Sequence, residues 1–388
     1  MKYERGIIQL LTAVIGLSCG CTGEKLLDEP LPGGPESPVE VRFFTSAIPT
    51  RAEGTGMAAG TDTLVTGANV RLYVYRQKEG VNDTIALKDY TVETERSEAS
   101  KIQSLTPAKV DNVVGTEMIL PSGTFGFYAV STNSTTEPVP AFQTSNAVDG
   151  VPSATDGKVA VQNGVDYLYA VNKDHKIAFG TETADVPLSF KHVGTQVQLT
   201  IKFGSGAHAG TDDAAKDFNL ATVSIQPTSE ENAAMYLYDG RILFNGNTTG
   251  GSPTELGTDD TKLKAMTVVR SGEANGTTPA DQVATYHMLP LAKATSGSQK
   301  MKVKVVIDNL VVGTTAKGTH TYTGLLDASA GWLAGTSNQY TLTLSGTEIK
   351  FSTVTVVPWE SGTGGEVGDI THTDNITPSG ESGSESNN

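Results

Sequence analysis

The chain has 388 residues, 37% of them hydrophobic and 18% charged, with a net charge of −15. This length allows two domains of ordinary size, and so acidic a chain argues against nucleic acid as a partner, because backbone phosphates are met by Lys and Arg. Forty-two glycines interrupt short β-branched runs, and long stretches of helical period are missing, so the composition predicts an all-β protein.

Residues 1–21 predict an export signal. Lys2 and Arg5 precede an apolar run, Ile7 to Leu17, that is too short to span a bilayer, and small residues follow at Ser18 and Gly20. The chain's two cysteines, Cys19 and Cys21, end this run. A thiol in that position marks a bacterial lipid anchor; Cys21, after Gly20, is the expected acceptor and Cys19 the alternative. Cysteines two apart in an extended chain rarely bridge. A remainder without thiols suits export through an oxidising compartment.

Residues 22–38, rich in Pro, Gly and Glu, read as a tether. VEVRFFTSAI (39–48) alternates as a strand, and 49–63 reads as a loop that offers Arg51–Ala52 to a protease. A strand-rich block follows from 64 to 190. ANVRLYVYR (68–76) places Val70, Leu72 and Val74 on one face. TEMILPSGTFGFYAVSTN (116–133) reads as strand, turn and aromatic strand, and VDYLYAVN (165–172) as a further strand. In DVPLSFKHVGTQVQLTIKF (185–203), Val197, Leu199, Ile201 and Phe203 keep period two after Gly194.

A second block runs over 191–359. Its strand candidates are NLATVSIQ, AAMYLYDGRILFNG, YHMLPLA, QKMKVKVVIDNLVVG, HTYTGLL and the closing NQYTLTLSGTEIKFSTVTVVPW. Asp239-Gly240 is the strongest local hairpin signal. Residues 360–388, rich in Gly, Ser, Glu and Asn, predict a flexible acidic tail. Strands at this spacing predict two packed β-sandwiches.

No nucleophile elbow, P-loop, dinucleotide fingerprint or zincin motif is present. The six histidines, His175, His192, His208, His287, His320 and His372, are scattered singly along the chain. His208 near Asp212 and Asp213 is better read as a polar loop than as a metal site, and His192 as a satisfied, partly buried residue. No catalytic residue, metal or cofactor is expected, and the chain is not expected to be an enzyme. Asp62-Thr63-Leu64 and Asp83-Thr84-Ile85 fit a short bacterial O-glycosylation pattern.

Four stretches in order resemble the fimbrillin family of bacterial pilins. They are GANVRLYVYR, LPSGTFGFYAVST, DYLYA with VPLSFKHVGTQVQLTI, and LAGTSNQYTLTLSGTEIKFSTVTVVPWESGTGGEV. Gly335, Tyr340 and Trp359 carry the last of these. The resemblance implies two tandem transthyretin-like β-sandwich domains and a lipoprotein precursor at the outer membrane. It implies cleavage at Arg51–Ala52 by an arginine-specific protease, with release of the 39–48 strand. Other fimbrial subunits would be partners by strand exchange, in stalk, accessory or tip positions. The joining residues would be Val39, Val41 and Phe43 on the released strand and Phe351, Val354 and Val356 near the C-terminus, with Lys350 outside the set. The alternative reading is a monomeric surface lipoprotein that binds glycans or host ligands. Exposed aromatic platforms would favour it, and Trp332 and Trp359 are the chain's two tryptophans.

Overall fold

The computed structural model describes residues 38–45, 64–95, 102–110, 113–145, 147–204, 206–210, 220–257, 260–271, 280–345, 348–358 and 375–376. The fold is all-β, and among these residues the only helical element is a single 3-10 turn, Asp260–Lys262. The first strands are β1 (Val39–Thr45), β2 (Asn69–Arg76), β3 (Ala86–Glu95), β4 (Gln103–Pro107), β5 (Lys109–Val110) and β6 (Val113–Val114). Next come β7 (Met118–Leu120), β8 (Gly123–Ser131), β9 (Lys158–Ala160), β10 (Leu168–Ile177), β11 (Thr183–Leu188) and β12 (Lys191–His192). The second half holds β13 (Thr195–Phe203), β14 (Ala207–Ala209), β15 (Thr222–Ile225), β16 (Ala233–Tyr236), β17 (Ile242–Phe244) and β18 (Lys264–Ala265). It continues with β19 (Thr267–Ser271), β20 (Asp281–Met288), β21 (Lys300–Val312), β22 (Thr315–Asp327), β23 (Thr336–Ser345), β24 (Glu348–Pro358) and β25 (Asn375–Ile376).

Nine strands form the first sheet, in the order β11-β1-β4-β3-β2-β8-β10-β12, with β7 also paired to β1. Its inner face gathers Val41, Phe43, Leu72, Val74, Phe127 and Leu188 into one core. Phe43 of β1 meets Phe127 of β8 edge-on at 5.4 Å, although these strands are not sheet neighbours, so the sheet folds over on itself. In the second half, the sheet β19-β20-β13-β23-β24-β25 and the sheet β14-β21-β15-β18, with β22 on β21, contribute side chains to a second core. Val197, Leu199, Ile201 and Phe203 of β13 point into it with the period-two alternation expected of them.

A third core lies on the other face of β2, β8 and β10. Tyr73, Tyr75, Tyr128 and Tyr169 pack there against Met235 and Phe244 of the small sheet β17-β16-β9. Strand pairing therefore crosses the expected division at residues 190 and 191, because β9 bonds to β16 in the register Ala234↔Ala160. The Asp239-Gly240 signal does mark a hairpin, β16–β17. Gly240 has φ +75°, and a Cβ there would sit 2.2 Å from the Tyr169 ring, so only glycine fits this close approach. Strands β3 and β4 were not expected. On β3 the fully buried apolar side chains are Tyr90 and Val92, and Lys88, Asp89 and Glu93 dilute the alternation.

Candidate functional site

The candidate site is β1 and the groove that holds it. Val39, Val41, Phe43 and Thr45 point inward and are buried, whereas Glu40, Arg42 and Phe44 face outward. Phe43 packs edge-on against Tyr90 at 5.3 Å as well as against Phe127. β1 runs parallel to β11, from Glu40↔Thr183 to Thr45↔Leu188, and antiparallel to β7 and the start of β4. Among the described residues β11 has β1 as its one strand-paired neighbour, with a side-chain bond from Asn172 of β10 to the Pro187 carbonyl besides. Withdrawal of β1 would expose backbone groups of β11, β7 and β4 at once and open an apolar trough between them.

Glu117, just before β7, adds a pH-sensitive element to this groove. Burial, then the charge of Glu40, raises its carboxyl above the ordinary value, and its Oε2 has no hydrogen-bond partner among the described residues. A carboxyl raised in the folded state lowers stability as pH climbs above its unfolded value and costs nothing below it. Glu117→Gln is therefore expected to raise the melting temperature at neutral pH, with the gain vanishing near about pH 4. Equal shifts at both pH values would contradict this account.

A second polar cluster lies where the first sheet meets the second half. The buried Asp166 carboxylate accepts from Asn133 Nδ2 at 3.0 Å, and its other oxygen lies 2.7 Å from His192 Nδ1. Burial pushes the Asp166 carboxyl up, but the charge and hydrogen bond of His192, with His287 and Asn133, outweigh it and hold the carboxyl low. Burial lowers His287, and the Asp166 charge only partly opposes this. Asn133 sits at φ +50°, a left-handed conformation that asparagine tolerates, and its Oδ1 accepts from the Val65 N–H at 2.8 Å. His192 thus meets the Asp166 carboxylate across 26 positions, and His287 feels the same charge. The described residues contain no group of three His, Cys, Asp or Glu suited to a metal ion.

The structure brings Val39, Val41 and Phe43 together on one buried face. Phe351, Val354 and Val356 lie on β24, opposite Leu342, Tyr340 and Asn338 of β23. Tyr340 is buried; it accepts from Trp332 Nε1 at 3.0 Å and donates to the Asp327 carbonyl at 3.0 Å. Trp332 is itself 1% exposed, so it offers no surface platform. Gly335 turns with φ +70° and donates to the Gly194 carbonyl at 2.7 Å. Cys19, Cys21, Arg51, Ala52, Asp62, Thr63, Asp212, Asp213, Trp359 and His372 lie outside the described residues, as do residues 1–37, 46–63 and most of the tail. Sequence reasoning did not single out Asn133, Asp166, Glu117 or Gln103, whose partners are far away along the chain.

Among solved structures, the chain resembles a candidate cell adhesion protein from Bacteroides ovatus at 16% identity, over 84% of this chain and 99% of that one, with a TM-score of 0.48. It also resembles a fimbrial assembly protein from Parabacteroides distasonis at 11% identity, over 83% and 98% of the two chains, TM-score 0.40. A third likeness is to the tip fimbrial protein Mfa3 from Porphyromonas gingivalis, at 8% identity over 83% and 100%, TM-score 0.37. No match to a curated protein was found. The decisive comparison is with a family model described as fimbrillin-like, which matches residues 50–359 of the 388. The chain belongs to the fimbrillin-like family.

Proposed function

We propose that the protein is a structural, accessory or tip subunit of a cell-surface fimbria. In this reading it is exported as a lipoprotein acylated at Cys21, or at Cys19, in the outer membrane. Cleavage at Arg51–Ala52 then frees β1, and a strand from another subunit takes its place. The family supports interaction with other fimbrial subunits, a place in a cell-surface fimbrium and a non-enzymatic role. The observation that carries the reading is the position of β1: a first strand, buried on its inner face, holding β11 to the rest of the sheet. Three apolar inward side chains at roughly 1.5–3 kcal/mol each give a gross hold of about 5–9 kcal/mol, on top of the backbone ladder. A replacement strand of the same alternation recovers that energy by β-augmentation. We assign the two sandwich units to residues 64–190 and 191–359, joined across that division by the β10–β12 and β9–β16 pairings, and the second joining surface to Phe351, Val354 and Val356 of β24.

The test is the N-terminus of the surface-exposed protein together with its assembly state. A start at Ala52, with SDS-resistant ladders after trypsin treatment, is the expected result. Arg51→Ala is expected to abolish both the Ala52 terminus and the ladders. A solitary protein that keeps its acylated cysteine and β1, whether or not Arg51 is changed, would refute the reading.

A further inference from the structure

Gln103, the first residue of β4, is fully buried and polar. Its backbone N–H donates to Thr45 Oγ1 at 3.0 Å. Its carboxamide clasps Leu64: Oε1 accepts from the Leu64 N–H at 2.9 Å, and Nε2 donates to the Leu64 carbonyl at 2.8 Å and to the Glu93 carbonyl at 3.2 Å. Thr45 is the last residue of β1, and Leu64 is the first described residue after Arg51. One buried residue therefore holds both ends of the stretch 46–63.

The two grips are unequal. Gln103 itself holds the departing strand by one bond, to a side-chain hydroxyl. The retained chain is held by a two-point clasp, backed by the Val65 N–H donating to Asn133 Oδ1 at 2.8 Å and the Gly67 N–H donating to the Val92 carbonyl at 2.7 Å. Leu64 and Ala68 also belong to the first core, so the clasped segment closes that core at its edge. A buried carboxamide bonded at both its oxygen and its nitrogen fixes its neighbour strongly, because breaking the bonds leaves buried polar groups unmet.

We propose that Gln103 is a positioning residue that holds the chain at Leu64 when β1 departs, so that processing removes one strand and stops there. This rests on the cut at Arg51–Ala52 proposed above. Loss of β1 takes one of these four bonds of Gln103 and leaves the clasp intact. Without the clasp, the new N-terminal segment would peel back towards β2, where Arg71 is held in the sheet by paired bonds of 2.7 and 2.8 Å to Asp89.

The test is limited digestion of the full chain with trypsin, followed by hydrogen exchange and intact mass. In the cut wild-type protein, the Leu64 and Val65 amides are expected to stay as slow as in the uncut protein, while those of β7 and β11 that faced β1 speed up. Gln103→Met keeps length and apolar packing but removes the clasp. After the cut it is expected to exchange Leu64 and Val65 about tenfold faster than wild type, equivalent to ~1.4 kcal/mol, and to acquire a second terminus at Leu72. Thr45→Val is expected to hasten loss of β1 with no change at Leu64. A role confined to general stability would instead speed Leu64 no more than the core amides of β13 and would add no terminus at Leu72 after the cut, and that result overturns the proposal. So does a cut wild-type protein in which Leu64 and Val65 become fast; this measurement decides the matter even if Gln103→Met fails to fold. A wild-type chain that trypsin does not open at Arg51 sinks the processing reading itself, and this proposal with it.

Discussion

Phe43→Ala is expected to destabilise the uncut protein by about 3–5 kcal/mol, whereas Phe44→Ala, one residue on, changes stability by less than about 1 kcal/mol. The two rings share a sequence neighbourhood and differ in direction. Phe43 is 2% exposed and lies edge-on between Tyr90 and Phe127, so truncation removes apolar burial and two aromatic contacts and leaves a cavity walled by β3 and β8. Phe44 faces outward beside Ser104 and loses far less. Urea denaturation of both variants measures the difference, and equal effects would mean that β1 lies with the wrong face inward. In the processed protein the same energy is the grip on the cut strand. Phe43→Ala is then expected to weaken that grip by about two to four orders of magnitude, since every 1.4 kcal/mol is tenfold. A strand that must stay until replaced and still be replaceable needs a hold of intermediate size, and Phe43 supplies the largest single part of it.

The readable part of this fold lay in local periodicity. Val197, Leu199, Ile201 and Phe203 could be assigned to a face because period two is legible within a short run of consecutive positions, and the Asp239-Gly240 turn because Gly240 adopts a conformation that few other residues accept. The inward set Val39, Val41 and Phe43 followed from the same rule. β3 escaped because its outward face is charged and its inward face carries few large apolar groups. The polar contacts escaped for a different reason. Gln103 finds Leu64 across 39 positions, and Asn133 finds Val65 across 68 and Asp166 across 33. Nothing in a window of sequence distinguishes such a glutamine or asparagine from a surface one. Gly335 and Tyr340 stood out by resemblance, and their settings are structural: a turn bonded to Gly194 and a hydroxyl shared by Trp332 and Asp327.

Asp166→Ala is expected to cost about 2–4 kcal/mol, because it leaves the buried polar groups of Asn133 and His192 without their acceptor. The carboxylate is fixed from both sides, by His192 of β12 and by Asn133 after β8, and His287 of β20 lies within its field. Its loss removes the acceptor that makes burial of the His192 ring tolerable and takes from Asn133 the bond that braces its left-handed backbone. Val65 would then loosen as well, through Asn133. Asp166→Asn keeps the shape and one acceptor, and a smaller loss is expected. The sign of the pH dependence follows from both groups. Asp166 is held below its ordinary 3.8, so its contribution is complete above that value and fades as pH falls through the lower folded one. His287 is held below its ordinary 6.5, so the unfolded chain takes up that proton first and stability declines as pH drops beneath 6.5. Both trends run the same way, so these two groups together lower stability from neutral pH into acid, against the opposite trend of Glu117. Asp166→Ala deprives His287 of the charge that partly favours its protonation, so its decline between about pH 6.5 and 5 is expected to be steeper than that of the wild type. A variant with wild-type stability at neutral pH would show that the seam between the first sheet and the second half is held by apolar packing and by the β9–β16 pairing alone.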